Sequence, residues 1–109
     1  MCFVAVALNC HPEFPFIVAA NRDEYFARPS VGIHVWDTSV PIVAGKDLSA
    51  GGAWLGLSTD GRFAALTNCR SSLVTSSPGK LSRGDLVRKF LEKDPEILRQ
   101  IKNGDLQQD

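Results

Sequence analysis

Phe16-Ile17-Val18-Ala19-Ala20, followed at once by Asn21-Arg22-Asp23-Glu24, is the stretch on which the architecture turns. Five apolar residues with Ile17 and Val18 at their centre form a run of strand length, and the polar tetrad stops it. An earlier run, Cys2–Leu8, has the same character in Val, Ala and Phe and predicts a strand buried on both faces. Between them Asn9–Pro15 carries two prolines and an acid and reads as a connecting loop. Two apolar runs so joined predict an antiparallel hairpin, in which the end of the second strand lies opposite the start of the first. The tetrad Asn21–Glu24 is thereby brought to Cys2.

Cys2 follows the initiator methionine directly. Trimming of Met1 would leave one residue carrying both a thiol and a free α-amine. The amine titrates near ~8 and the thiol near ~8.5, so the amine can serve as the thiol's own base at neutral pH. The alternative is a small buried residue opening a strand.

Downstream, Arg28-Pro29-Ser30 ends the polar segment, because the residue before proline is pushed toward extended backbone. Ile33–Trp36 and Pro41–Ala44 predict two short strands. Gly45–Gly52 predicts a loop, glycine-rich enough to let backbone approach something closely. Ala53–Ser58 and Arg62–Asn68 predict two strands joined at Thr59-Asp60-Gly61, a strong hairpin signal. Residues 71–80, dense in serine with Pro78, predict a flexible surface loop.

Two helices close the chain. Ser82 with Asp85 three residues on is a capping box, and Leu86, Val87, Phe90 and Leu91 line one face behind it. Asp94-Pro95 sets an N-cap with proline in the first helical position, Ile97, Leu98 and Ile101 supply the apolar face, and Asn103-Gly104 terminates it. Residues 105–109 predict a frayed polar tail. Strands first and helices after predict an α+β fold, an antiparallel sheet with helices on one face.

At 109 residues the chain is one domain at most, and 44% apolar content is ordinary for a packed core. A formal net charge of zero excludes the electrostatic footprint of a nucleic-acid or anionic-membrane binder. Three cysteines without paired spacing argue for a reducing compartment rather than a disulfide framework. No basic leader precedes Phe3–Leu8, and that run is too short for a signal sequence core or a membrane span. The expectation is a soluble, cytoplasmic protein with no transmembrane segment; oligomeric state is open.

Cys2, the run to Leu8, Ala19-Ala20-Asn21-Arg22-Asp23-Glu24-Tyr25-Phe26-Ala27-Arg28-Pro29, Gly45-Lys46-Asp47 and Gly51-Gly52-Ala53-Trp54-Leu55-Gly56 through Ala64-Ala65-Leu66-Thr67-Asn68 together resemble the NRDE family, the transport and Golgi organisation protein 2 homologues. The ordered blocks cover roughly residues 1–70, and family members are longer than this chain. The resemblance implies a single, incomplete domain over residues 1–109, half of a four-layer αββα fold of the N-terminal nucleophile hydrolase type. It further implies a role in haem or lipid trafficking and in Golgi and endoplasmic reticulum organisation, with mitochondrial or Golgi association and haem as a transported ligand rather than a cofactor. No settled reaction comes with it.

An acyl-transfer site on Cys2 would need a polar group to hold the amine and thiol, a group for the charged end of the substrate, and oxyanion donors. Arg22 and Asp23 are the candidate catalytic partners of Cys2, and Asn21, Glu24 and Trp54 the candidate substrate contacts. In the cysteine-type choloylglycine hydrolases of that superfamily an arginine and an aspartate three apart follow the second strand. Here Arg22 and Asp23 are adjacent, and on a strand they would face opposite ways. Either the segment bulges or Arg22 pairs elsewhere; a polar network pinning the hairpin end is the other reading. Asn68, ending the Gly61–Thr67 unit, resembles the oxyanion asparagine of that group and equally suits a turn. Cys10-His11, His34 and Cys69 lack metal-ligand spacing, so no metal site is predicted. Trp36 and Trp54 could line an apolar cleft or anchor a core. Three readings result: an intracellular binding and trafficking protein, a Cys2-dependent amidohydrolase or acyltransferase acting on a non-peptide amide, or a short piece that needs a partner chain or has no independent function.

Overall fold

The computed structural model describes residues 3–67 and 82–104. Cys2, Asn68, Cys69, the loop at 71–80 and the tail at 105–109 lie outside the described residues. The fold is α+β: two antiparallel sheets and two helices.

The first sheet is the expected hairpin. β1 (Phe3–Leu8) and β2 (Phe16–Asn21) pair from Phe3↔Asn21 to Leu8↔Phe16, and the Asn9 N–H donates to the Pro15 carbonyl at 2.8 Å to close the loop. Burial on both faces is not found. Val6 is 50% and Leu8 62% exposed, because the hairpin forms a sheet of its own and meets the second sheet through an edge-on contact of Phe16 with Phe63, ring centroids 5.1 Å apart.

The second sheet is a meander of β3 (Ser30–Trp36), β4 (Ile42–Asp47), β5 (Leu55–Ser58) and β6 (Phe63–Ala65). Period-two alternation divides it into two faces. Trp36, Ile42, Ala44 and Gly56 share the inner face, while Val35, Val43, Leu57 and Phe63 share the outer one. An extra residue in β3 between Val31 and His34 shifts the register there, a bulge in the edge strand. The Asp60-Gly61 turn behaves as expected: Gly61 has φ 94°, and the Ser58 hydroxyl accepts from the Arg62 N–H at 2.9 Å.

The inner face is covered by α1 (Arg83–Leu91), which Ser82 caps by accepting from the Asp85 N–H at 3.1 Å. Leu86, Val87 and Leu91 are buried, and the core cluster joins Val87 and Leu91 to Trp36, Ile42, Ala44 and Ala53. Ile42 and Leu91 are fully enclosed, each burial contributing about 1.5–3 kcal/mol. α2 (Pro95–Asn103) is capped by Asp94, which accepts from Glu96 and Ile97, and ends at Gly104 in the left-handed region with φ 73°. Its Ile97 is buried, but Ile101, expected on the packed face, is 44% exposed at the end of a two-turn helix.

The helices therefore lie on one side of the meander, and the outer face carries exposed apolar residues, Val35 at 64% and Leu57 at 42%. None of the described helices is long and apolar enough to cross a membrane.

Candidate functional site

The site forms where three chain segments end together. β2 stops at Asn21, so strand alternation no longer governs the next residues, and Arg22, Asp23 and Glu24 all reach one cleft. Of the two expectations for the adjacent Arg22 and Asp23, it is the second that holds: Arg22 pairs elsewhere, with Asp47. A turn then brings Arg28 round, its N–H donating to the Tyr25 carbonyl at 3.0 Å.

The second segment is the end of β4. The stretch Gly45–Gly52 is not all loop, because β4 runs to Asp47. Asp47 closes an Asx turn, one carboxylate oxygen accepting from the N–H of Ser49 at 2.9 Å and of Ala50 at 3.4 Å. Its other oxygen accepts from Arg28 Nε at 3.0 Å, Arg28 Nη2 at 2.7 Å and Arg22 Nη2 at 3.3 Å. Asp47 is buried, and hydrogen bonding from Arg28 outweighs burial to hold its carboxyl below the usual carboxylate range, while the same bond raises the Arg28 guanidinium.

The third segment is the loop from Gly51 to Trp54, which seats α1. Gly51 takes φ 78°. A Cβ on Gly52 would lie 2.5 Å from the Gly84 carbonyl carbon, so two glycine backbones touch here. This is the close approach that the glycine-rich loop predicts. Trp54 then lies under Arg22, whose guanidinium carbon stands 4.2 Å from the ring centroid, a cation–π stack.

The result is a cleft of about 160 Å³ walled by Arg22, Asp23, Glu24, Arg28, Asp47 and Trp54, with Ser82, Arg83 and Gly84 of the α1 start opposite. Glu24 Oε2 stands 3.6 Å from Arg22 Nη2 and 3.7 Å from Arg28 Nη1. Two guanidiniums, fixed carboxylates, an indole face and a helix N-terminus can bind an anionic group attached to an apolar body.

Of the expected site residues, Arg22, Asp23, Glu24 and Trp54 come together. Asn21 closes β2 opposite Phe3 and is not part of the cleft wall. Trp36 is a core anchor, its indole N–H donating to the Ala44 carbonyl at 3.2 Å. The Cys10 thiol donates to the Leu8 carbonyl at 3.2 Å and His11 Nδ1 accepts from Glu13 N–H at 3.1 Å, both within their own loop. Among the described residues no three His, Cys, Asp or Glu side chains form a metal-binding group. Sequence reasoning missed Asp47 and Arg28, the hub of the network. The signal was the Asp47-Leu48-Ser49 sequence, an Asx-turn pattern directly after a strand.

Comparison with known proteins points to one family. The Transport and Golgi organisation 2 family model matches residues 1–108. The mouse Transport and Golgi organization 2 homolog is 37% identical over 109 residues, covering 94% of this chain and 39% of the mouse protein. The human Transport and Golgi organization protein 2 homolog is 37% identical over 110 residues, with the same coverage of 94% and 39%. The fruit-fly Transport and Golgi organization protein 2 is 28% identical over 108 residues, covering 88% of this chain and 36% of its own length. The chain thus spans well under half the length of these relatives, and no solved structure matches it. The chain belongs to the Transport and Golgi organisation 2 family.

Proposed function

We propose that this chain serves intracellular transport, in haem or lipid trafficking and Golgi or endoplasmic reticulum organisation, by binding the anionic end of an amphipathic small molecule in the Arg22–Arg28 cleft. One observation carries the reading: a guanidinium laid on an indole at 4.2 Å at the wall of a cleft that also holds a second arginine. The cleft is small, so it suits a propionate, carboxylate or phosphate head while the apolar body lies outside it. The names of the relatives, with their reference to transport and Golgi organisation, support the setting. The working location is cytoplasmic, with Golgi or mitochondrial association. The test is titration of the wild-type chain, Trp54→Ala and Cys2→Ala with haem and with a fatty acid. Trp54→Ala should weaken binding about five- to thirtyfold, as the loss of an aromatic contact of about 1–2 kcal/mol predicts, and Cys2→Ala should leave it unchanged. Equal curves for all three proteins would overturn the reading.

A second reading is favoured by the pairing of Phe3, the neighbour of Cys2 in sequence, with Asn21 at the head of the NRDE segment. On it, Cys2 is an N-terminal nucleophile for acyl transfer, Arg22 and Asp23 hold it, Asn21 and Glu24 contact substrate, and Asn68 stabilises the oxyanion. Intact mass of the protein purified from cells tests it first. Loss of one methionine leaves a free amine to activate the thiol; retained Met1 or an acetylated Cys2 removes the base and with it the mechanism.

A further inference from the structure

The geometry points to Glu24 as an internal stand-in for the anion of the bound molecule, a carboxylate that faces Arg22 and Arg28 and gives way when a ligand's carboxylate or phosphate enters. This rests on the cleft being the binding site proposed above. The two carboxylates that face the arginine pair are held very differently. Asp47 is buried, and both its oxygens are engaged, one by two backbone N–H groups and one by three guanidinium N–H donors at 2.7–3.3 Å. It is a fixed part of the scaffold. Glu24 approaches the same two guanidiniums only at 3.6 and 3.7 Å, beyond hydrogen-bond reach. Its other oxygen is turned back onto the backbone N–H of Tyr25 at 2.9 Å.

Glu24 therefore sets one loosely placed negative charge against Arg28 Nη1 and against Arg22 Nη2, the latter also donating to Asp47 at 3.3 Å. An incoming carboxylate or phosphate can approach them at about 2.7–2.9 Å, the range of charge-assisted bonds that Glu24 does not achieve. The surroundings suit such a guest. Ala50, Ala53, Trp54 and Leu66 supply apolar lining, and Arg83 and Gly84 at the start of the nine-residue α1 line the cleft as well, with the positive end of the helix dipole. Asp23 also lines the cleft, so some acid remains near the site after Glu24 leaves. The ligand class is an aromatic or alkyl body that presents one anionic group to the arginine pair. Glu24 sets its affinity by competing for the same two cations.

The experiment uses three probes of one shape, 2-naphthoate, 2-naphthyl phosphate and the uncharged 2-naphthamide, followed by the NMR shift of the Trp54 indole N–H. The wild-type chain is compared with Glu24→Gln and Glu24→Ala, whose thermal midpoints should stay close to the wild type because the Glu24 ion pairs, at 3.6 and 3.7 Å, are long and solvent-screened. Both variants should bind the anionic probes about two- to fivefold more tightly, the range expected for removing one screened competing charge, with naphthamide unchanged. A larger gain for naphthoate or for the phosphate names the preferred anion, and either supports the proposal. Unchanged or weaker anion binding in both variants overturns it while leaving the cleft a binding site. An equal gain for naphthamide also overturns it, since Glu24 would then only occupy space. Absence of any Trp54 response to any probe, in any of the three proteins, overturns both this proposal and the reading it rests on.

Discussion

Arg28 donates Nε and Nη2 to one and the same oxygen of Asp47, at 3.0 and 2.7 Å, while the other oxygen of that carboxylate fixes the backbone of Ser49. One buried side chain thus couples the shape of the loop after β4 to the position of the arginine segment after β2. The two segments are 19 residues apart in sequence at this bond, and the Leu48 N–H donating to the Pro29 carbonyl at 3.0 Å ties them together beside it.

Asp47→Asn should keep the Asx turn but lose the charged partner of both arginines. We expect a loss of about 1–3 kcal/mol, the cost of unpairing a charge-assisted bond at a partly buried site. The native carboxyl titrates below its ordinary value, so its contribution is present in full above about pH 4 and is lost as pH falls through the lower folded value. Urea midpoints measured from about pH 5 down to about pH 2.5 should decline more steeply for the wild type than for Asp47→Asn. Parallel curves would remove Asp47 from the account of acid stability.

Gly52→Ala tests the backbone contact that seats α1. The added Cβ would meet Gly84 backbone atoms at 2.5, 2.7 and 2.9 Å, and neither partner is a flexible side chain that could move aside. A loss of about 1–3 kcal/mol is expected from such overpacking. Gly32→Ala, where a Cβ meets nothing within 4 Å, is the control and should stay within about 0.5 kcal/mol. Chemical denaturation of both variants decides it.

Leu91→Ala removes a fully enclosed side chain whose Cδ1 already lies against the place a Cβ would occupy on Gly56. A cavity against a glycine in a strand cannot be refilled by a neighbouring side chain. The expected cost is about 2–5 kcal/mol, measured by calorimetric unfolding.

Asp94→Ala removes the two N–H acceptances at 3.0 and 3.2 Å that begin α2. A loss of about 0.5–2 kcal/mol is expected. Amide exchange should rise at Glu96 and Ile97 while α1 stays protected, because α2 is the less covered helix.

The helices were legible almost to the residue because their signals are local. Ser82 with Asp85, Asp94 with Pro95, and Gly104 act through bonds within four residues, so the chain itself contains both partners. The hairpin was legible for the same reason: a run, a short loop and a run leave one pairing. Burial of β1 was not legible, since an apolar run says what a strand can tolerate and not whether another element comes to cover it. Within the cleft, Arg22, Glu24 and Trp54 stood out as residue types, but the hub did not. Asp47 reads as an ordinary loop acid until the strand is seen to run up to it, and its partnership with Arg28 spans two elements that no periodicity connects.

The outer face of the meander has a consequence for how this chain behaves at concentration. Val35, Leu57 and Ile33 present uncharged surface, and the whole chain carries no net charge at neutral pH. Nothing long-ranged therefore pushes two molecules apart, and short-ranged attraction between such faces goes unopposed. Light scattering should find a negative second virial coefficient that ammonium sulfate makes more negative, as excluded salts strengthen apolar contact. Val35→Lys with Leu57→Lys, placed on that face and away from the cleft, should introduce colloidal repulsion without disturbing what the arginines bind.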